Sequence, residues 1–163
     1  MITHTPEQCA WTAGIIDGEG TIGIYPRYRT DVKCQNPGWG MVVKVGNTDS
    51  RMTKALRDIW GGSGHDAVDT REGRSVCYTW TIAAKQALAM LREIRQYLVT
   101  KRAQADLAIQ FQSQMGRGPK PTSPEAYAIK RGMYYAMKAL NLKGPWKFSR
   151  RDITECALKV QQI

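Results

Sequence analysis

Between Gln8 and Gly20 (QCAWTAGIIDGEG), small residues recur every four positions, at Ala10, Gly14 and Gly18. In a helix that spacing puts them on one stripe. A stripe without side chains lets another backbone approach closely. The same stretch ends in a carboxylate, Glu19, held between Gly18 and Gly20. A helix C-terminus carries the negative end of the macrodipole, so an acid there needs a compensating cation. A fold for this chain must supply both a close neighbour for the stripe and positive charge beside the acid.

The start of that helix is encoded just upstream. Thr5 suits the N-cap, Pro6 the first helical position, and Gln8 can complete a capping box. A helix is expected from residue 6 to residue 17 or 18, with Trp11, Ile15 and Ile16 toward the core.

Residues 21–29 (TIGIYPRYR) then alternate with period two. Ile22, Ile24, Pro26 and Tyr28 fall on one face, and Thr21, Gly23, Tyr25, Arg27 and Arg29 on the other. Pro26 argues against a central position in a sheet. A polar connector with an Asn-Pro-Gly turn signal leads to a second strand over residues 40–46. Its Met41, Val43 and Val45 should face inward, with Val42 and Lys44 outward. Asn47-Thr48-Asp49 is a cap for a helix reaching Trp60, with Met52, Ala55, Leu56 and Ile59 as its apolar stripe. Glycines end it. Residues 65–70 and 75–82 read as a hairpin around Arg-Glu-Gly-Arg.

Helical spacing resumes over residues 83–98 and 101–115. A basic Pro/Gly linker (116–123) precedes helices expected at 124–140 and 150–162. The order is helix, hairpin, helix, hairpin, helix. This predicts an α+β fold with one antiparallel sheet and helices on one face. The 163 residues suit a single domain, with a core over about 5–115 and a C-terminal helical extension over about 116–163.

The chain has 24 Lys and Arg against 14 Asp and Glu, a net charge of +10. That excess points to a polyanionic partner, most simply nucleic acid. No basic amphipathic helix suggests a membrane surface, no apolar run approaches a bilayer span, and the N-terminus lacks signal-peptide features. An intracellular protein without a membrane partner is expected. Cys9, Cys34, Cys77 and Cys156 are scattered and form no Cys-x-x-Cys pair, and His4 and His65 are the only histidines. This disfavours zinc and suits free thiols in a reducing compartment.

Residues 12–20, TAGIIDGEG, resemble the LAGLIDADG motif of homing endonucleases. Ala13, Gly14, Ile16, Asp17 and Gly20 match the motif directly, and Ile15 and Glu19 are conservative replacements. Thr12 stands for the leading Leu and Gly18 for an Ala. The αββαββα order around the motif strengthens the resemblance, which covers about residues 5–115. It implies a saddle-shaped sheet and motif helices of two protomers packed at the centre. It also implies a divalent metal, Mg²⁺ or a substitute such as Mn²⁺, at the scissile phosphates. By this correspondence Glu19 is the metal ligand, helped by the Gly18 carbonyl. Ala10, Ala13, Gly14 and Asp17 then fall at a dimer interface, Asp17 chiefly in a supporting role. A single motif implies a homodimer and a palindromic or pseudo-palindromic duplex DNA target.

The resemblance extends to Asn47, Arg51 and Lys101, which match a pocket that orients water and supplies positive charge. The plainer readings stand beside it: Asn47 as a helix cap, Arg51 as half of an ion pair, Lys101 as a solvated charge. Tyr25, Arg27, Arg29, Lys33, Lys44, Arg71 and Arg74 come from strands or hairpin tips. A ribbon carrying them fits a major groove, where Arg pairs with guanine and Lys and Arg hold phosphates. Arg117, Lys120 and the segment 143–151 are either flanking phosphate contacts or ordinary surface charge. The implied activity is site-specific, metal-dependent DNA hydrolysis with a staggered cut. The alternative is a non-cleaving binder on the same fold, either a DNA-binding regulator or an RNA-binding intron maturase.

Overall fold

The computed structural model describes residues 4–27, 38–67, 76–115 and 123–142. Helix α1 spans Pro6–Glu19, and its start is the one expected. Thr5 Oγ1 accepts from Gln8 N at 3.3 Å, and Gln8 Oε1 accepts from Thr5 N at 2.9 Å. Strand β1 (Gly20–Arg27) follows without a loop. A Cβ at Gly20 would stand 2.7 Å from Ile16 Cα, so only glycine permits this turn.

Strand β2 is Gly38–Asn47, helix α2 Ser50–Trp60, β3 Ser63–Ala67 and β4 Cys77–Ala83. All pairings are antiparallel, in the spatial order β1-β2-β4-β3. Pro26 accordingly lies on an edge strand, where its missing N–H breaks no interior ladder. Gly61 (φ 71) and Gly62 (φ 90) turn the chain out of α2. There Trp80 Nε1 donates to Gly61 O at 2.8 Å.

Helix α3 is Ala84–Ile94, continued by a 3-10 turn at Arg95–Tyr97. The helix expected over 83–98 is thus shorter, because β4 runs to Ala83 and the last turn tightens. Helix α4 is Arg102–Ser113, and α5 is Pro124–Leu140, N-capped by Ser123. The helix expected at 150–162 lies outside the described residues, as do Cys34 and Cys156. Cys9 and Cys77 are free thiols. No helix among the described residues is long and apolar enough to cross a membrane.

The helices pack on one face of the sheet. Ile22, Ile24, Met41, Val43, Val45, Trp80 and Ile82 point into that layer. Leu56, Met90, Leu91, Ile94, Phe111 and Met137 meet them from the helices. The strand parities are those the alternation predicts. Trp39 extends the inward face of β2 and stacks near Tyr134 of α5, with ring centroids 5.0 Å apart. Helix α5 is further tied down by Asn141 Nδ2 to Ile22 O and Gln104 Nε2 to Leu140 O.

Trp11 departs from expectation. It is 41% exposed, because α1 buries Cys9, Thr12, Ala13 and Ile16 instead. That face is chosen partly by a polar contact: Trp60 Nε1 donates to the buried Thr12 hydroxyl at 2.8 Å. The Thr12 hydroxyl thus satisfies the N–H of the buried Trp60 indole. His4 closes the same corner, its ring 3.8 Å from that of Trp60 and its two nitrogens facing Glu93 Oε2 and Ile59 O.

Candidate active site

The last turn of α1 leaves carbonyl oxygens without helical partners. Lys101, one residue before α4, reaches two carbonyls of that turn, Ile16 O, which also accepts from the Gly20 N–H, and Asp17 O. Its Nζ donates to Ile16 O at 2.8 Å and to Asp17 O at 2.6 Å. Lys101 is only 6% exposed, so it is not a solvated charge. Here is the cation that an acid at this helix end requires.

Asp17 secures the same junction with its carboxylate. It accepts from Val99 N at 2.7 Å, Lys101 N at 2.8 Å and Thr100 Oγ1 at 3.0 Å. Burial disfavours its charged form, but these hydrogen bonds outweigh burial and hold the carboxyl below its usual value. Asp17 thus turns its carboxylate onto its own chain.

Glu19 is left as the exposed acid of this end of the helix. Among the described residues no hydrogen bond or ion pair engages it, and no group of three His, Cys, Asp or Glu gathers around a common point. Gly18, also exposed, precedes it. The register pairs Gly20 with Val45, so Asn47 ends β2 at the same end of the sheet as Glu19.

Asn47 Oδ1 accepts from Asp49 N at 2.8 Å, an Asx turn that leads into α2. Asp49 is the N-cap, accepting from Arg51 N at 2.9 Å. It also pairs with the Arg51 guanidinium, Nη2 to Oδ2 at 2.6 Å, which lowers the Asp49 carboxyl to about 2. Asn47 is not itself the helix cap, since Asp49 takes that place and Asn47 makes the turn before it, while Arg51 has its plainer role as half of an ion pair. Lys101 does not have the plain role.

On the sheet face away from the helices, Tyr25, Arg27 and Lys44 stand together. Tyr25 and Lys44 are exposed, with Lys44 Nζ 5.7 Å from the Tyr25 ring centroid. Arg29, Lys33, Arg71 and Arg74 lie outside the described residues, as do Arg117, Lys120 and 143–151. Ala10, Gly14 and Gly18 form an exposed stripe on α1, and a Cβ at Gly14 or Gly18 would meet nothing within 4 Å. Ala13, expected at the interface, is 0% exposed and packs in the chain's own core. The 3.6-residue period turns it away from the stripe. Trp11 borders the stripe; the sequence signal for this is its spacing of three and seven residues from Gly14 and Gly18.

No family model and no curated protein matches the sequence. Solved structures do match. The homing endonuclease I-CvuI, in complex with its target, aligns with a TM-score of 0.71 at 19% identity, over 95% of this chain and 95% of that one. The archaeal intron-encoded homing endonuclease I-Vdi141I, complexed with DNA, aligns with a TM-score of 0.69 at 12% identity, over 95% and 96%. The LAGLIDADG homing endonuclease I-SmaMI, bound to cleaved DNA, aligns with a TM-score of 0.60 at 20% identity. The chain has the LAGLIDADG homing-endonuclease fold. The I-SmaMI alignment takes in 93% of this chain and 48% of that one, so the chain spans about half the length of I-SmaMI.

Proposed function

We propose that the chain is a divalent-metal-dependent, site-specific double-stranded DNA endonuclease that works as a homodimer. The observation that carries this reading is the exposed Glu19 carboxylate, unengaged among the described residues, at the end of a helix that Lys101 and Asp17 hold in place. The fold is that of proteins solved with DNA, I-CvuI in the presence of Ca or Mg among them.

One chain offers one free acid there. Mg²⁺ is commonly bound by one or two carboxylates, with substrate phosphates and water completing the shell. Glu19 and the Gly18 carbonyl suit such an ion, with phosphodiester oxygens as its other ligands. When bound, the metal supplies an activated water and charge stabilisation at the leaving oxygen. Lys101 fixes the direction in which Glu19 leaves the helix. The Asn47 amide, its oxygen held by Asp49, can offer its NH₂ group to water. Arg51 adds positive charge once it leaves Asp49.

A second copy supplies the second acid. The open stripe of Ala10, Gly14 and Gly18, bordered by Trp11, favours backbone-to-backbone contact about a two-fold axis. A two-fold dimer requires a palindromic or pseudo-palindromic site, with one strand cut by each protomer and the cuts staggered. The face bearing Tyr25, Arg27 and Lys44 lies along each half-site.

The test starts from a duplex library, from which the purified protein selects its site in Ca²⁺. The selected duplex is then exposed to Mg²⁺. Double-strand cleavage is expected, and Glu19→Gln should abolish it while binding persists. A protein that selects a duplex but never nicks it in any divalent ion would instead be a non-cleaving binder on this fold.

A further inference from the structure

Two glycines on the open face of the sheet, Gly23 on β1 and Gly40 on β2, are buried although they lie on its uncovered side. Side chains of neighbouring residues cover them. A Cβ built at Gly23 would stand 2.5 Å from Tyr25 Cε2 and 2.6 Å from its Cζ and hydroxyl oxygen. At Gly40 it would stand 2.6 Å from Arg27 Cζ and 2.8 Å from Nη2. Real Cβ atoms essentially never come within 3.0 Å of another heavy atom.

Backbone conformation does not explain these glycines. Among the described residues the positive-φ glycines are Gly61 and Gly62, not these two. What Gly23 and Gly40 contribute is space. Tyr25 lies down over Gly23, two residues back along its own strand. Arg27 lies diagonally over Gly40, which pairs with Tyr25 across the ladder. With Lys44 Nζ 5.7 Å from the Tyr25 ring centroid, the face carries an ammonium, an aromatic ring and a guanidinium close together. Burial, with Tyr134 nearby, raises the Tyr25 phenol above its usual value, so its hydroxyl remains a proton donor.

We infer that Gly23 and Gly40 are specificity-determining positions: by letting Tyr25 and Arg27 lie flat, they set which base edges the sheet reads. The inference rests on the DNA-binding reading of this face. Side chains laid flat offer donors close to the sheet surface, with an aromatic surface between them. Guanine O6 and N7 suit the two cations, and a thymine methyl suits the ring. A side chain at either glycine lifts its cover into the groove and changes the base it meets.

The test compares sites selected from a library randomised across both half-sites. Wild type, Gly23→Val, Gly40→Val, Tyr25→Leu and Gly38→Ala are run as full chains. Valine suits a strand, and alanine at the same two glycines serves where a valine variant does not fold. Gly38→Ala is the control, because a Cβ there meets nothing nearer than Arg27 O at 3.6 Å. Gly23→Val and Tyr25→Leu should lose about 10-fold discrimination at the same symmetric pair of base positions. Gly40→Val should lose it at a neighbouring pair, and Gly38→Ala should select the wild-type site. If wild type selects a defined site and both glycine variants select it equally, the inference is overturned while the DNA reading stands. If wild type selects no site, both fall. A second measurement needs no DNA: in free protein the Gly23 Hα resonances should carry a ring-current shift that Tyr25→Leu removes. Its absence overturns the flat-ring geometry directly.

Discussion

The Lys101 ammonium donates to the Ile16 carbonyl at 2.8 Å across 85 positions of sequence. A second bond from the same ammonium reaches Asp17 O at 2.6 Å. One buried cation thereby closes the helix that presents Glu19. On the proposed reading its effect on chemistry is one of placement, aligning the acid and offsetting the helix-end dipole.

Lys101→Met should lower stability, because it removes the buried ammonium that donates to Ile16 O and Asp17 O at the end of α1. The expected cost is about 1–3 kcal/mol in urea unfolding at neutral pH. The cleavage rate at saturating protein should fall at least about 10-fold, given how steeply rate depends on placement of reacting groups. Affinity for the selected duplex should change little. A variant that loses affinity and keeps its single-turnover rate would show that Lys101 binds DNA instead.

Asp17 makes stability depend on acid in a defined direction. Its folded pKa is held below the ordinary value of about 3.9, so the unfolded chain takes up the proton more readily. Its contribution is complete above about pH 4 and is lost as pH falls through the folded value. Asp17→Asn should be about 2 kcal/mol less stable than wild type at pH 7. The gap should narrow as pH is lowered below about 4. A gap of constant size from pH 7 to pH 3, followed by thermal unfolding in a series of buffers, would contradict this account.

Gly14→Leu separates folding from association. Within the chain a Cβ at Gly14 meets nothing within 4 Å, so the monomer should tolerate the change. Between two copies the added isobutyl group would hold the helices apart. Sedimentation should find a monomer with the wild-type circular dichroism spectrum. A variant that remains dimeric would place the two-fold contact elsewhere.

Thr12 and Trp60 should be coupled. Thr12→Val leaves the buried indole N–H without its acceptor, at a cost of about 1–3 kcal/mol. In Trp60→Phe the N–H is absent, so adding Thr12→Val should cost distinctly less. A double-mutant cycle in denaturant should give a coupling of about 1 kcal/mol. Strict additivity would mean that packing alone chose Thr at this position.

The strands were legible because their signal is local. Period-two alternation in residues 21–29 and 40–46 assigns each side chain a face whatever lies beyond, and Ile22, Ile24, Met41, Val43 and Val45 are buried accordingly. The capping box at Thr5 and Gln8 is likewise complete within four residues. The single motif located Glu19 and the stripe. Legibility failed where a distant partner decides the outcome. Trp11 looks like core until Trp60 claims Thr12 and fixes the rotation of α1. Lys101 looks like any surface lysine until the last turn of α1 is packed against it. Gly23 and Gly40 look like weak spots in strands, because the residues that occupy their space are ordinary exposed types.

The bonds from Asp17 to residues 99–101 bear on the order in which the site comes into being. A ribosome that has released the motif and both hairpins has not yet delivered the segment that fixes the end of α1. A chain stopped short of Val99 holds every letter of the motif, yet its Asp17 carboxylate lacks the donors of residues 99–101 and its Asp17 carbonyl lacks the Lys101 ammonium. Whatever reactivity Glu19 acquires is withheld until residues 99–101 have joined the finished sheet. Premature termination upstream should thus yield an inert fragment rather than a cutter without selectivity.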